Sequence, residues 1–225
     1  EGEGAGNVEQ GEDNLVVRAL RLALDRVGAP QVGVRMHCTN RIPHSRGLGS
    51  SASAIVAGVT LARALIGDAD VLGRQEILEI GSHMEGHPDN VAPAVFGGAT
   101  VSWMNEETSE VGSVRLTPPE GIDPVAFIPD FELRTAAARA ALPATVPHGD
   151  ASFNVARGAL LAAILSGGAQ ASAGADLHAL LMEATRDRLH QEQRRAAMDP
   201  SLALVDWLRG ACFAAVVSGA GPSVL

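Results

Sequence analysis

A segment rich in glycine and serine carries the clearest candidate chemistry in this sequence. Gly47, Gly49, Ser50 and Ser51 stand between a stretch of alternating apolar residues and a long apolar run. Glycines let a backbone approach a bound anion closely, and the unpaired amides at a helix start attract negative charge. The segment predicts a phosphate site, and a tight turn with a serine helix cap is the alternative use of the same residue types.

The composition excludes several kinds of phosphate enzyme. All 17 basic residues are arginines, so a Walker A lysine, a protein-kinase strand lysine and a Schiff-base lysine are impossible within this segment. The formal net charge of −9 argues against a nucleic-acid partner, because a phosphate backbone requires clustered basic residues. Any phosphate must therefore be held locally.

A second polar string, HMEGH, has the residue types of a zinc protease but not their order. Its histidines, His83 and His87, are separated by Glu85 in the wrong position for His-Glu-x-x-His, and Gly86 and Pro88 would interrupt the required helix. The serines of the glycine-rich segment also lack the G-x-S-x-G pattern of a hydrolase nucleophile. Metalloprotease and serine-hydrolase chemistry are both disfavoured.

Helices and strands must position these residues. Asn14 is placed to cap a helix that runs to Gly28, and the alternation over residues 32–38 predicts a strand that leads into the glycine-rich segment. A buried helix should begin at Ser51. Farther along, a helix is predicted at residues 74–84, and a short helix should turn into a strand that ends near Trp103.

The apolar spacing in the second half of the chain predicts a mixture of helices and strands. Strands are predicted at residues 124–129 and 212–217, helices at 135–142, 150–165, 177–189 and 202–208, and a surface loop at 167–175. A connection rich in proline and glycine covers residues 112–123. We therefore expect an α+β protein with two domains, residues 1–121 and residues 122–225.

The two cysteines, Cys38 and Cys212, match no zinc or redox spacing and are expected to be buried packing residues. No apolar run approaches the length that spans a membrane. These features predict a cytoplasmic protein with no membrane partner. The chain starts at Glu1 without methionine and stops soon after SGAGPS, and both termini are expected to be missing.

The string PHSRGLGSSASA resembles the P-x-x-x-G-L-G-S-S-x-A signature of the GHMP kinases, the superfamily that includes galactokinase, homoserine kinase and mevalonate kinase. The resemblance implies an ATP-binding N-terminal domain like domain 2 of ribosomal protein S5, and a ferredoxin-like C-terminal domain. It assigns nucleotide binding to the signature residues, which are Pro43, Arg46, Gly47, Leu48, Gly49, Ser50 and Ser51.

Four further strings are similar to the homoserine kinase branch of this superfamily: EGHPDNVAPAVFGG, TAAARAALP, DRLHQEQR and SGAGPS. The resemblance implies phosphorylation of the homoserine hydroxyl in threonine biosynthesis, with ATP and Mg²⁺ as cofactors and a homodimeric assembly. Ser51 and Glu79 would hold the metal. The residues assigned to homoserine are His87, Asn90, Arg139 and Arg194, and those assigned to catalysis are Thr135, Arg139 and Asn90.

The matched strings also imply a mechanism without a dedicated base. The mevalonate kinase residue at the position of Asn90 is an aspartate that acts as a base, and an amide cannot take a proton in that role. Phosphoryl transfer tolerates this because its loose transition state requires mainly positioning and charge neutralisation. Two alternatives stay open: a GHMP kinase for mevalonate or a related alcohol, and a non-catalytic nucleotide-binding regulator on the same fold.

Two departures from the branch concern the substrate site and the glycine-rich segment. Homoserine kinases carry an N-terminal S-A-N-L-G-P-G-F-D element that contributes to the substrate site, and this sequence begins after it. Ser53 replaces the alanine of the branch. The second change puts only the packing of the segment in question.

Overall fold

The computed structural model describes residues 1–68, 70–168 and 176–225. By its contacts the chain forms two compact units, the first made of residues 1–42 and 49–115 and the second of residues 43–48 and 116–225. This division lies after residue 115, six residues before the domain boundary that the sequence predicts between residues 121 and 122. The domain boundary stays a prediction. The predicted loop at 167–175 lies almost wholly outside the described residues.

Helices dominate the first unit. Its elements are α1 (Leu15–Arg26), α2 (Ser50–Ile66), α3 (Arg74–Glu85), α4 (Val91–Phe96), β1 (Ala99–Met104) and β2 (Val111–Leu116). Asn14 caps α1 as expected, because its side chain accepts a hydrogen bond from the Val16 amide at 3.0 Å. The two strands pair with each other through a short turn. The predictions for α1 to α4 and for β1 are confirmed, whereas β2 was missed.

Close packing of α1, α2 and α3 forms the core that carries the glycine-rich segment. A Cβ on Gly58 of α2 would lie 2.3 Å from the Val16 carbonyl oxygen, so the approach of α1 requires a glycine there. The buried side chains of this core include Leu20, Leu24, Ile55, Val59, Leu72, Ile77 and Ile80. Their burial fixes α2, and with it the position at which its first turn begins.

The predicted strand at residues 32–38 is wrong. Its apolar positions alternate, but Val32 and Val34 are 40% and 38% exposed, and the segment is not part of a β-ladder among the described residues. Alternation predicts a strand only where a neighbour can satisfy the backbone hydrogen bonds. Cys38 and Cys212 are both exposed free thiols, so their predicted burial is also wrong.

The second unit contains four α-helices within its described residues: α5 (Thr135–Ala140), α6 (His148–Leu165), α7 (Leu177–Ala184) and α8 (Asp199–Gly210). A 3₁₀ helix spans Glu192–Ala197. The helix predictions are confirmed, with α7 shorter than expected. No helix in the described ranges is both long and apolar enough to cross a bilayer.

The strands predicted at residues 124–129 and 212–217 occur only as isolated bridges. Phe127 and Val217 each pair with Val224, and Phe127 and Val224 exchange two backbone hydrogen bonds of 2.8 and 3.0 Å. Each contact is too short to form a strand. The chain thus combines many helices with little regular sheet in the part that the structure describes.

Candidate active site

The first turn of α2 has the geometry of an anion site. Gly49 precedes the helix in the left-handed conformation, with φ 71° and ψ 24°, a backbone shape that favours glycine. Within the described part of the chain, the backbone N–H groups of residues 49–52 meet no hydrogen-bond acceptor. Unpaired amides at a helix start attract negative charge, so this turn is suited to a phosphate group.

Residues 43–48 belong to the second unit and pack against the SGAGPS string. Gly47 has a φ of 74°, and a Cβ there would lie 2.4 Å from the Ser218 carbonyl oxygen and 2.7 Å from that of Gly221. The Ser218 hydroxyl donates a 2.8 Å hydrogen bond to the Gly47 carbonyl. SGAGPS therefore packs closely against Gly47, and only glycine fits at residue 47.

The guanidinium of Arg46 is already engaged within the second unit. It donates to the carbonyl oxygens of Pro129 and Asp130, at 2.9 and 2.8 Å, and lies 3.6 Å from a carboxylate oxygen of Glu132. These bonds fix the segment that precedes α5. A nucleotide contact from the Arg46 side chain stays a prediction, as does one from Pro43, which is partly buried.

The structure brings Ser51 to Glu85 rather than to Glu79. The Ser51 hydroxyl donates a 2.8 Å hydrogen bond to Glu85 Oε2. Glu79 instead accepts a 3.0 Å bond from Gln75, whose amide also donates to the Val111 carbonyl at 2.8 Å. The two glutamates are six residues apart on α3 and so point in different directions. The metal role expected for Ser51 and Glu79 stays a prediction.

The HPDN string follows α3 and forms a chain of polar contacts. His87 Nδ1 is hydrogen-bonded to Asp89 Oδ1, and Asn90 Nδ2 donates to the same oxygen at 3.2 Å. Asn90 Oδ1 lies 3.5 Å from the position that a Cβ on Gly49 would occupy. The predicted substrate residues His87 and Asn90 thus lie together, and Asn90 lies beside the start of the anion site.

In the second unit, Thr135 and Arg139 lie on an exposed face of α5. They are four residues apart in a helix and therefore share one side. Both side chains are exposed, which leaves the Arg139 guanidinium accessible to a ligand. The predicted association of these two residues is consistent with this arrangement.

Arg194 differs from Arg139 because it is buried, with 8% of its surface exposed. It donates to the Ala138 carbonyl at 3.3 Å and to the Gly219 carbonyl at 3.1 Å, which links α5 to SGAGPS. Burial lowers the pKa of Arg194 from its ordinary value. The negative charge of Asp187 acts to raise this pKa, whereas the positive charge of Arg139 lowers it further. The two predicted carboxylate-binding arginines therefore feel each other's charge.

Asp187 holds the turn that leads to Arg194. Its carboxylate accepts hydrogen bonds from the Asn154 amide at 2.7 Å and from the backbone N–H groups of His190 and Gln191, at 2.8 and 2.7 Å. Burial alone would raise the pKa of Asp187, but these bonds and that of the His190 ring lower it well below its ordinary value. The first residue of DRLHQEQR is thus structural.

Sequence reasoning missed Glu85, which the structure brings to Ser51. Glu85 stands two residues before the HPDN string. The available signal was helical phase, since Glu85 lies at the end of α3, where the chain turns into HPDN.

Comparison with known proteins agrees with these features. Residues 14–98 match the model of the GHMP kinases N-terminal domain, which covers α1, the glycine-rich segment and HPDN. This region and its site therefore have the character of a GHMP kinase.

The relatives define the branch. The chain is 45% identical to homoserine kinase of Streptomyces coelicolor, over all of this chain and 69% of that protein. It is 43% identical to homoserine kinase of Mycobacterium ulcerans, over all of this chain and 70% of that protein. A crystal structure of homoserine kinase from Cytophaga hutchinsonii matches with a TM-score of 0.77 and 25% identity, over 99% of this chain and 69% of that one. The chain belongs to the homoserine kinase family.

Proposed function

We propose that this protein transfers the γ-phosphoryl group of ATP to the hydroxyl of L-homoserine, forming O-phospho-L-homoserine for threonine biosynthesis. The observation that carries this proposal is the proximity of Asn90 to Gly49, since Asn90 Oδ1 lies 3.5 Å from where a Cβ on Gly49 would be. It places a loop suited to a polar amino acid beside the start of an anion site. The 45% identity with a homoserine kinase supports the choice of alcohol.

The phosphates of ATP bind the backbone amides of residues 49–52 in this proposal. These N–H groups meet no acceptor among the described residues, and the dipole of α2 adds a favourable term of about 0.3–1 kcal/mol per exposed contact. That term is too small to hold a triphosphate by itself. Several aligned amides and a cation are therefore required.

Magnesium fits the pair formed by Ser51 and Glu85. A hydroxyl and a carboxylate are hard oxygen ligands, and Mg²⁺ takes its other ligands from water and phosphate oxygens. The 2.8 Å hydrogen bond between the two side chains keeps these oxygens close together. We propose Glu85 beside Ser51 as a metal ligand, and the metal role of Glu79 stays a prediction. When bound, the ion neutralises charge on the phosphates.

Homoserine contacts His87 and Asn90 in this scheme. Asn90 Oδ1 can accept a hydrogen bond from the substrate hydroxyl and so orient its oxygen, but it cannot take the proton away. The chemistry tolerates this, because a loose transition state is sensitive chiefly to alignment and charge. Asn90 is therefore a positioning group in the proposed mechanism.

Arginines of the second unit supply positive charge. We assign the transferring phosphoryl or the substrate carboxylate to Arg139, whose guanidinium is exposed, with Thr135 on the same helical face. Arg194 is assigned to the substrate carboxylate. Two of its N–H groups bond to backbone carbonyls, and a guanidinium carries five donors, so donors remain for a ligand.

Three broader proposals accompany this function. The N-terminal domain corresponds to domain 2 of ribosomal protein S5, and the C-terminal domain is ferredoxin-like. The protein acts as a homodimer, which light scattering on the purified protein would test. It resides in the cytoplasm, a location that suits its two free thiols at Cys38 and Cys212.

The test is an ADP-release assay on the purified protein with ATP and Mg²⁺. Homoserine, mevalonate and galactose are offered separately, and the phosphorylated product is identified by mass spectrometry. We expect rapid turnover with homoserine. Turnover with mevalonate alone would favour a different GHMP kinase, and ATP binding without turnover of any alcohol would favour a regulator.

A further inference from the structure

The carboxylate of Asp89 is shared by the two residues proposed to contact homoserine. Its Oδ1 atom accepts hydrogen bonds from His87 Nδ1 and from Asn90 Nδ2. The Asp89 side chain is 69% exposed, whereas that of His87 is 17% exposed. A carboxylate in this position contributes nothing to a hydrophobic core. Its contacts are with candidate site residues.

The bond to Asp89 selects one form of the His87 ring. An ionised carboxylate only accepts hydrogen bonds, so the hydrogen must lie on His87 Nδ1. In the neutral ring the other nitrogen, Nε2, then keeps its lone pair. His87 consequently offers a hydrogen-bond acceptor on the side of the ring that faces away from Asp89.

The same carboxylate fixes the orientation of the Asn90 amide. Only the nitrogen of an amide can donate to Asp89, so Asn90 Oδ1 must be the free end. That oxygen lies 3.5 Å from the Cβ position of Gly49, at the start of the anion site. A reversed amide would place a donor there instead. Two acceptor atoms, His87 Nε2 and Asn90 Oδ1, are therefore set by one side chain.

We propose that Asp89 is a positioning residue, which presents His87 Nε2 and Asn90 Oδ1 as paired acceptors for the hydroxyl and ammonium groups of the alcohol substrate. This proposal rests on the proposed function. Homoserine carries both kinds of donor, so the arrangement matches an amino alcohol. Asp89 acts through its two neighbours.

Steady-state kinetics of Asp89→Ala and Asp89→Asn test this role. Loss of the shared acceptor should raise KM for homoserine about tenfold, the effect of about 1.4 kcal/mol, and leave KM for ATP within about twofold. Asparagine keeps one acceptor oxygen, so Asp89→Asn should recover most of the loss. Glu106→Ala removes an exposed carboxylate from the turn between β1 and β2 and should match the wild type.

A double-mutant cycle with His87→Ala gives the sharper result. If Asp89 acts through His87, the double variant should lose less than the product of the single losses. The proposal would be overturned if the double variant lost the full product of the two single losses. It would also be overturned if Asp89→Ala left KM for homoserine unchanged, or raised KM for homoserine and KM for ATP equally. Inactivity of the wild-type protein on homoserine would overturn the proposed function too. The failure of the proposed function is thereby distinguished from the failure of the role proposed for Asp89.

Nitrogen NMR of His87 gives a readout that is independent of turnover. In the wild type at a pH where the ring is neutral, the hydrogen should reside on Nδ1. In Asp89→Ala the ring should shift toward the Nε2-protonated form. A wild-type ring protonated on Nε2 would overturn the proposal even if the variants failed to fold.

Discussion

In the first unit, the polar side chains of the candidate site are partly exposed and bond to one another, whereas Arg194 in the second unit is buried and bonds to backbone carbonyls. Ser51 and Glu85 form a pair of the first kind. Arg194, with 8% exposure, joins α5 to the SGAGPS string. Partly exposed side chains such as Ser51 and Glu85 can be removed at little structural cost, but the buried Arg194 supports both ligand binding and the fold.

The largest expected effect separates two glutamates of α3. Glu85→Ala should lower kcat/KM by about 10³-fold, equivalent to about 4 kcal/mol, because it removes the proposed metal ligand. Glu79→Ala, which removes only the contact with Gln75, should leave turnover nearly unchanged. Assays over a range of Mg²⁺ concentrations measure both. Inactivation by Glu79→Ala with active Glu85→Ala would restore the sequence-based assignment.

Arg139→Ala should reduce kcat by about 10³-fold if the guanidinium stabilises the transferring phosphoryl group. Its side chain is exposed, so the urea midpoint of unfolding should not change. Arg134→Ala, which removes the exposed arginine just before α5, serves as the matched control. A kcat within tenfold of the wild type would remove Arg139 from the proposed mechanism.

Arg194→Ala should combine both effects. The carbonyls of Ala138 and Gly219 lose their charged donor, which costs about 2–3 kcal/mol of unfolding free energy, and the substrate loses a carboxylate contact. Urea unfolding and KM for homoserine should therefore change together. The adjacent Arg195 bonds to Glu192 at the surface, and Arg195→Ala should leave both quantities close to wild type. A stable Arg194→Ala protein would erase the contrast between the two units.

The smallest expected effect is the pH-dependent contribution of Asp187 to stability. Because the folded pKa of Asp187 is depressed, its contribution to stability is present above the unfolded value of about 3.9 and is lost as pH falls toward the folded pKa. Asp187→Asn should cost about 1–2 kcal/mol at pH 7, and the difference from wild type should shrink at pH 3. Chemical unfolding at both pH values measures it, with Asp199→Asn as an exposed control. A constant difference would contradict the assigned cause.

The helices of the first unit were predictable because their signals are local. Asn14 is a cap, and the apolar spacing of α1 and the small residues of α2 define buried faces. The strands at residues 32–38, 124–129 and 212–217 were predicted wrongly, since alternation carries no information about a partner. Strand β2 was missed because Gly112 belongs to a stretch that was interpreted as a connection.

The site was predicted in part, and what the strings left open depends on geometry. The strings identified the glycine-rich segment, His87, Asn90, Arg139 and Arg194 as candidates. Selection between Glu79 and Glu85 depends on how the end of α3 faces Ser51, which sequence spacing does not determine. The burial of Arg194 depends on α5 and SGAGPS, which meet only after folding.

The contact between Gly47 and Ser218 also has a consequence for biosynthesis. The two residues are separated by 171 positions in the chain, yet the hydroxyl of one bonds to the carbonyl of the other. Contacts between distant residues form late, because a long loop must close first. During translation, the hydrogen bond between Gly47 and Ser218 can form only after Ser218 has left the ribosome. A stalled chain that ends before Ser218 therefore lacks this support for Gly47.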